Sequence, residues 1–198
     1  MTISAEQVKD LRDRTGAGMM ECKKALAETA GDVEKAIDLL RKAGLQKAEK
    51  RAGRTADQGL VEAYVHPGSR VGVLIEVNCE TDFVARTPEF QELVRNLAMQ
   101  VAALGAEYVS RADVPAERVA REREIYAAQM EEQKKPPAIV ERIVEGKLEK
   151  FYGEVCLLEQ PYMRDDTVKV GDLVSGVSGK TGEKMAVRRF VRFRLGQE

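Results

Sequence analysis

The sequence contains no tryptophan, one histidine and three cysteines among its 198 residues. Cys22, Cys79 and Cys156 lie far apart and form no CxxC pair, while His66 precedes a Pro-Gly turn. A zinc site built from Cys and His needs more ligands at closer spacing, so we expect no metal site. No cofactor of another kind is expected either. An odd, scattered set of cysteines is typical of free thiols in a reducing cytosol.

The sequence also lacks an excess of either charge and lacks a long apolar run. Its 32 basic and 33 acidic residues give a formal net charge of −1. Proteins that bind phosphate backbones usually carry a basic excess, so we expect no direct contact with nucleic acid. No apolar run approaches the roughly 20 residues that span a bilayer, and the first ten residues lack the basic and apolar regions of a signal peptide. We therefore expect a cytoplasmic protein that does not associate with membranes.

What the sequence does contain is typical of a soluble, globular chain. Hydrophobic residues make up 43% and charged residues 33% of it, enough for a packed core that is mainly aliphatic. The length suits one medium domain or two small ones. The residue pattern changes near residue 55, so we predict a three-helix domain with a basic linker over 1–54 and an α+β core domain over 55–198.

The first part of the chain is patterned as short helices joined by short turns, which favours a small bundle. The Thr-Gly-Ala-Gly segment 15–18 ends the first helix, and 19–27 is rich in helix formers. Asp32 is the expected N-cap of a third helix, and Gly44 is its expected C-cap. The apolar residues at helical spacing are Val8, Leu11, Val33, Ala36, Ile37 and Leu40.

Residues 45–56 carry four basic side chains against a single acid. This segment is either a solvated helical extension or linker, which is the simpler interpretation, or a contact surface for an acidic partner.

The second part of the chain mixes strands and helices. Alternating apolar residues over 60–65 and 70–78, around a Pro-Gly loop, predict a β-hairpin. Thr87 and Pro88 fit the N-cap and first position of a helix that extends to Leu104. Further helices are predicted over 115–133, 137–152 and 168–178, and a final strand over 184–195 with both faces partly apolar. The order predicts an α+β fold with a mainly antiparallel sheet packed by helices.

Enzyme chemistry has little support in the sequence. A phosphate-binding loop needs a glycine five residues before Gly179, where Val174 stands, so a plain turn is the better interpretation of Gly-Lys-Thr at 179–181. Cys79 has no obvious base beside it, and a buried structural thiol is preferred over a nucleophile. We therefore do not expect an enzyme.

Two apolar features allow either a core or a partner-binding role. Phe83 lies in a polar segment between a strand and a helix; it either covers the end of the sheet, the preferred interpretation for the residue taken alone, or projects as an anchor for a partner's pocket. Met19 and Met20 are adjacent and so lie about 100° apart on a helix, which indicates that at least one is exposed.

Three ordered motifs resemble the signatures of the elongation factor Ts family. The first is TGAGMMECKKAL at 15–26, and the second is NCETDFVA at 78–85. The third combines EGKL at 145–148 with LLEQP at 157–161 and the acidic pair at 165–166. The resemblance covers almost the whole chain in the expected order.

The resemblance implies a helical domain like the ubiquitin-associated domain, followed by an α+β core. It implies binding to elongation factor Tu, in its GDP-bound and nucleotide-free states, and release of GDP. The motif that intrudes near the magnesium site of that GTPase corresponds to Thr81, Asp82, Phe83 and Val84. The helical-domain residues that contact its nucleotide-binding domain correspond to Arg12, Met19 and Met20.

One departure concerns the length. Many family members have a duplicated core and a helical-hairpin insertion, whereas this chain holds a single core unit. Short members resemble half of that arrangement and can pair as homodimers, so we expect a homodimer that binds two partner molecules through pairing of strand 184–195. The alternative to exchange activity is a protein-interaction module that resembles the ubiquitin-associated domain and has no exchange role.

Overall fold

The computed structural model describes residues 3–131 and 136–197, except for the side chains at 45, 47–49 and 131. It is an α+β fold with one three-stranded and one two-stranded sheet among the described residues. The helices are α1 (Ala5–Thr15), α2 (Met19–Glu28), α3 (Val33–Arg51), α4 (Asp82–Ala85), α5 (Pro88–Leu104), α6 (Ala116–Glu131), α7 (Pro137–Val155) and α8 (Val170–Thr181). The strands are β1 (Gln58–Val65), β2 (Val71–Cys79), β3 (Pro161–Tyr162), β4 (Asp165–Lys169) and β5 (Met185–Arg194).

The chain forms two compact units. The first comprises the residues up to Leu60 together with Val77–Leu93 and Asp172–Ala186. The second comprises Val61–Glu76, Val94–Gly171 and the residues from Val187 onward. The predicted domain boundary between residues 54 and 55 stays a prediction.

Helices α1 to α3 pack around a small aliphatic core in the first unit. Ser4 and Gln7 form a capping box at the start of α1. Gly16 ends that helix with a left-handed φ of 67°, within the segment that the sequence predicts as its end. The Asp32 carboxylate accepts the Lys35 backbone N–H at 3.1 Å at the start of α3. The buried residues of this core are Val8, Leu11, Cys22, Ala25, Leu26 and Ala36.

The prediction that α3 ends at Gly44 is wrong, because the helix continues to Arg51. Contacts with α8 explain the continuation. Arg41 pairs with Asp172 at 2.8 Å, and the Arg51 side chain donates to the Ser178 carbonyl at 3.2 Å. Tertiary packing of this kind overrides the roughly 1 kcal/mol by which glycine disfavours a helix interior. The basic stretch is thus a helical extension, although Arg51 is half-buried rather than solvated.

The predicted hairpin is confirmed as β1 and β2, and β2 also pairs with β5. The His66 N–H donates to the Val71 carbonyl at 2.9 Å and closes the hairpin. Helix α5 starts at the predicted cap, where the Thr87 hydroxyl accepts the Phe90 N–H at 3.3 Å. The apolar residues at helical spacing along it are all buried: Phe90, Leu93, Val94, Leu97 and Val101.

The two-stranded ribbon of β3 and β4 was not predicted from the sequence. It is held by a buried glutamine, because Gln100 of α5 donates to the Pro161 carbonyl at 3.0 Å and accepts the Met163 N–H at 2.9 Å. Gln100 also donates to the Gln160 side chain at 3.2 Å. These hydrogen bonds satisfy polar groups that would be costly to bury alone.

Gly59 in β1 is a position where the backbone requires glycine. Its φ is 145°, and a Cβ there would lie 2.1 Å from the Val77 carbonyl oxygen of β2. We expect Gly59→Ala to lower the free energy of unfolding by about 2–4 kcal/mol, since backbone atoms must move. Urea denaturation measures this change. Gly53→Ala is the control, because no atom lies within 4 Å of its Cβ position, and an equal effect of both substitutions would contradict the steric argument.

Candidate functional site

Phe83 is an exposed aromatic side chain on the short helix α4, directly after β2. Its side chain is 79% exposed, so the interpretation of Phe83 as a core residue covering the sheet is wrong. The segment is a helical turn rather than an irregular loop, because Thr81 is the N-cap and its hydroxyl accepts the Val84 N–H at 3.4 Å. Ala85 is buried and Val84 half-buried, so the turn is anchored on one side and presents Phe83 on the other.

A carboxylate distant in sequence holds the start of this turn. Glu183 accepts the Glu80 N–H at 3.1 Å, the Thr81 N–H at 3.0 Å and the Thr81 hydroxyl at 2.6 Å. In return, the Glu80 carboxylate accepts the Lys184 N–H at 2.5 Å and pairs with Arg54 at 3.2 Å. The Lys184 hydrogen bond and the Arg54 contact lower the pKa of Glu80, so this carboxylate is ionised at neutral pH.

Asp82 carries the negative charge next to Phe83. Its carboxylate pairs with Arg86 one turn later, at 2.8 Å; the Arg86 side chain is mostly exposed and the Asp82 side chain about half exposed. An exposed ion pair of this type contributes little to stability and exchanges readily for another partner. Asp82 is therefore available to a cation or a hydrogen-bond donor on a bound protein.

Met19 and Met20 form the second exposed apolar feature, in the first turn of α2. Their side chains are 44% and 75% exposed, while Cys22 and Leu26 further along the helix are buried. The prediction that at least one methionine reaches the surface is confirmed. Arg12 lies in the last turn of α1 and is exposed. This combination of flexible apolar side chains and a cation is suited to a protein contact.

The thiols and the Gly-Lys-Thr segment offer no catalytic group. All three cysteines are unpaired and buried. The Cys79 thiol donates to the Thr81 carbonyl at 3.1 Å, and burial, aided by the Glu183 charge, raises its pKa, so little thiolate is present. Residues 179–181 form the last turn of α8 rather than a free turn. Within residues 3–131 and 136–197, no group of three or more His, Cys, Asp or Glu side chains could hold a metal.

A third exposed surface is one face of the three-stranded sheet. Glu62 of β1 pairs with Arg95 of α5 at 3.9 Å, and Arg192 of β5 donates to the Ala102 carbonyl of α5 at 3.5 Å. Because side chains alternate along a strand, the neighbours of Glu62 and Arg192 point away from α5. We call this the outer sheet face. Its exposed apolar residues are Val61, Val65, Leu74, Val191 and Phe193, and the exposed Leu195 follows directly after β5.

The outer sheet face continues across the strands. Arg189 lies two residues before Val191 and therefore on the same face of β5. It pairs with Glu76 of β2 at 2.8 Å. Glu76, in turn, lies on the same face of β2 as the exposed Leu74. Phe193 is 71% exposed, and a group of exposed apolar residues on one face is a common feature of interaction surfaces.

Sequence reasoning missed the residues that hold the turn, namely Arg54, Glu80, Glu183 and Lys184. No local signal marks Glu183, because its partners lie more than 100 residues earlier in the chain and it follows an ordinary helix end. The seven predicted site residues fall on two groups of elements, with Thr81 to Val84 at α4 and the others on α1 and α2.

Comparison with known proteins gives a consistent result. The family model described as Elongation factor TS matches residues 3–197. The elongation factor Ts of Moorella thermoacetica is 60% identical over 195 residues, covering 98% of this chain and 96% of the relative. Those of Caldanaerobacter subterraneus and Thermotoga petrophila are each 57% identical, with 98% of each relative covered. No described helix is long and apolar enough to cross a bilayer.

Proposed function

Because the chain belongs to the elongation factor Ts family, we propose that it promotes release of GDP from elongation factor Tu during translation elongation. The observation that carries the proposal is the exposed Phe83 on a turn that is braced by hydrogen bonds. A rigid aromatic side chain that enters a partner's pocket can supply much of the binding energy of an interface. No covalent bond is made or broken in this activity, so the protein acts as an exchange factor rather than an enzyme.

An exchange factor has to overcome the high affinity of the GTPase for its nucleotide. A nucleotide bound at nanomolar affinity is held by about 12 kcal/mol, and its spontaneous release is slow. A factor accelerates release when it binds better to the GTPase whose nucleotide and magnesium contacts are weakened. This coupling is reciprocal, so GDP must weaken binding of the factor by the same ratio.

The α4 turn supplies the disruptive contact in this mechanism. Phe83 inserts between elements of the GTPase and shifts the loops that hold phosphate and magnesium. Asp82 exchanges its exposed pairing with Arg86 for contacts near the magnesium site, while Thr81 and Val84 fix the turn from which both project. The side chains of the turn are not consumed, so one molecule of factor serves many cycles.

The helical residues supply anchoring area. We expect Met20→Ala to weaken complex formation by about tenfold, since it removes an exposed apolar contact worth roughly 1–2 kcal/mol. The melting temperature should stay within about 2 °C because the side chain is exposed in the free protein. Calorimetric titration with nucleotide-free elongation factor Tu measures the affinity. A large loss of melting temperature would instead assign Met20 to the core.

We propose further that two chains pair through the outer sheet face. Five exposed apolar residues on one face of a sheet support this, and a second copy offers an identical apolar face with no need for charge complementarity. In the resulting 2:2 complex, residues 1–54 anchor each partner and residues 55–198 carry both the exchange turn and the pairing surface. The protein functions in the cytoplasm, where elongation takes place, without a nucleic-acid or membrane contact of its own.

The test of the main proposal follows fluorescent GDP as it leaves purified elongation factor Tu in excess unlabelled GDP. We expect a large acceleration that saturates as the concentration of this protein rises. Binding without acceleration would replace the exchange role with that of a protein-interaction module. Absence of both binding and acceleration from a folded protein would refute the proposal.

A further inference from the structure

We propose that Glu183 is a positioning residue for exchange: its carboxylate clamps the Glu80–Thr81 segment and thereby fixes the direction in which α4 presents Phe83. The inference rests on the proposed exchange function, because the orientation of Phe83 matters only if Phe83 acts on a partner. Glu183 itself needs no contact with that partner. Its role is to make the turn rigid before binding.

The geometry of the clamp uses both carboxylate oxygens of Glu183. One oxygen accepts the two successive N–H groups of Glu80 and Thr81, at 3.1 and 3.0 Å. The other accepts the Thr81 hydroxyl at 2.6 Å. Hydrogen bonds to an ionised acceptor are about twice as strong as neutral ones, so this single side chain fixes the segment immediately before Asp82 and Phe83.

A second set of contacts closes the clamp from the other side. The Glu80 carboxylate accepts the Lys184 N–H at 2.5 Å, so each of the two segments supplies a carboxylate to the backbone of the other. Arg54 pairs with Glu80 at 3.2 Å, and the Lys184 ammonium donates to the Arg54 carbonyl at 2.7 Å. Rotation of the α4 turn would have to break several of these bonds together.

The turn needs such a clamp because α4 has only four residues. Helices this short do not persist without tertiary support, since nucleation is unfavourable and few backbone hydrogen bonds repay it. The Phe83 side chain is 79% exposed, so it gains little stabilisation from packing within the described part of the chain. A loose turn would have to lose its conformational freedom on binding the GTPase, and that loss would reduce the energy available to displace nucleotide.

The hydrogen bonds that Glu183 already accepts within the chain argue against a direct role at the partner. The carboxylate is half-buried and already accepts three donors. By contrast, the Phe83 side chain is 79% exposed and the Asp82 side chain 48% exposed, directly after the segment that Glu183 holds. The arrangement thus separates the groups that contact a partner from the group that orients them.

The experiment compares Glu183→Ala and Glu183→Gln in the full-length chain. The glutamine side chain would keep one oxygen for the two N–H groups and offer its amide N–H to the Thr81 hydroxyl. We therefore expect the Gln variant to stay within about threefold of the unchanged protein in GDP release, and the Ala variant to lose about tenfold or more. Glu149→Ala is the control, since it removes a glutamate whose ion pair with Arg111 lies in the other compact unit.

A double variant shows whether Glu183 acts through Phe83. If it does, adding Glu183→Ala to Phe83→Ala causes almost no further loss of exchange, because the oriented group is already absent. If the fold-loss of exchange in the double variant equals the product of the two single fold-losses, the positioning role is overturned. Equal losses in the Ala and Gln variants would also overturn it and indicate a direct contact of the charge with the partner.

A readout without the GTPase keeps this inference separate from the proposed function. Amide hydrogen exchange of the free chain, followed by NMR, should be at least about tenfold faster at Glu80 and Thr81 in Glu183→Ala than in Glu183→Gln. Unchanged protection in Glu183→Ala would refute the clamp whatever the exchange assay gives. A different result is that the unchanged protein fails to accelerate GDP release from elongation factor Tu while the Glu80 and Thr81 amides still lose protection in the Ala variant. That result would refute the function and leave only a structural clamp.

Discussion

Phe83→Ala is expected to slow the GDP release stimulated by this protein by about 30-fold or more. The estimate follows from the cost of truncating a central aromatic anchor at an interface, about 2 kcal/mol or more. Because Phe83 is 79% exposed in the free chain, its removal should change the free energy of unfolding by only about 0.5 kcal/mol. The two quantities are measured by stopped-flow release of fluorescent GDP and by urea denaturation.

The control for this prediction is Ile139→Ala. Ile139 is another large apolar side chain that is about half exposed, on α7 rather than on α4, and its truncation should leave GDP release unchanged. The two effects of Phe83→Ala also separate binding from exchange. Full exchange activity with normal affinity would remove Phe83 from the mechanism, whereas weaker binding with an unchanged maximal release rate would make it an anchor rather than the disruptive group.

The parts of the fold that local chemistry determines could be predicted from the sequence. Thr87 and Pro88 mark the start of α5 because a hydroxyl cap and a missing N–H suit those two positions alone. The hairpin follows from alternation on both sides of a Pro-Gly loop, and Asp32 marks the start of α3 through its hydrogen bond to a backbone N–H. Each of these signals lies within a few residues of the structure that it specifies.

Features that depend on distant contacts could not be predicted in this way. Gly44 resembles a helix end, yet α3 passes through it because α8 packs alongside, with the Cβ position of Gly179 only 3.8 Å from the Gly44 Cα atom. The β3–β4 ribbon is too short to have a pattern of its own and depends on the side chain of Gln100. Tertiary contacts therefore decide both cases against local propensity.

The residues of the candidate site also fall into those that the local sequence indicates and those that depend on distant contacts. Motif resemblance predicted Asp82 and Phe83 as site residues, and the adjacency of Met19 and Met20 on a helix predicted that at least one of them is exposed. Neither could identify Glu183, whose only relation to Thr81 is spatial, and physical reasoning on Phe83 alone favoured burial because most phenylalanines are buried. An aromatic side chain at the start of a helix points to a partner-binding role only when the backbone around it is known to be held rigid.

Phe193→Asp is expected to convert a homodimer into monomers. Phe193 is the most exposed of the large apolar side chains on the outer sheet face. In a two-fold interface each substitution counts twice, so a loss of about 2 kcal/mol per copy raises the dimer dissociation constant by roughly a thousandfold. Light scattering after size exclusion, at micromolar concentration, should then give the 22.0 kDa mass of a single chain instead of twice that value.

The matched control is Ile139→Asp, which places the same charge on a comparably exposed apolar side chain outside the outer sheet face. That variant should remain dimeric, and both variants should retain cooperative urea unfolding, since neither charge enters a core. A monomeric mass for the unchanged protein would refute pairing altogether. A dimeric Phe193→Asp variant would move the interface elsewhere. If monomeric Phe193→Asp still accelerates GDP release per chain, the pairing surface and the exchange turn act independently, as expected for a turn clamped from within its own chain by Glu183.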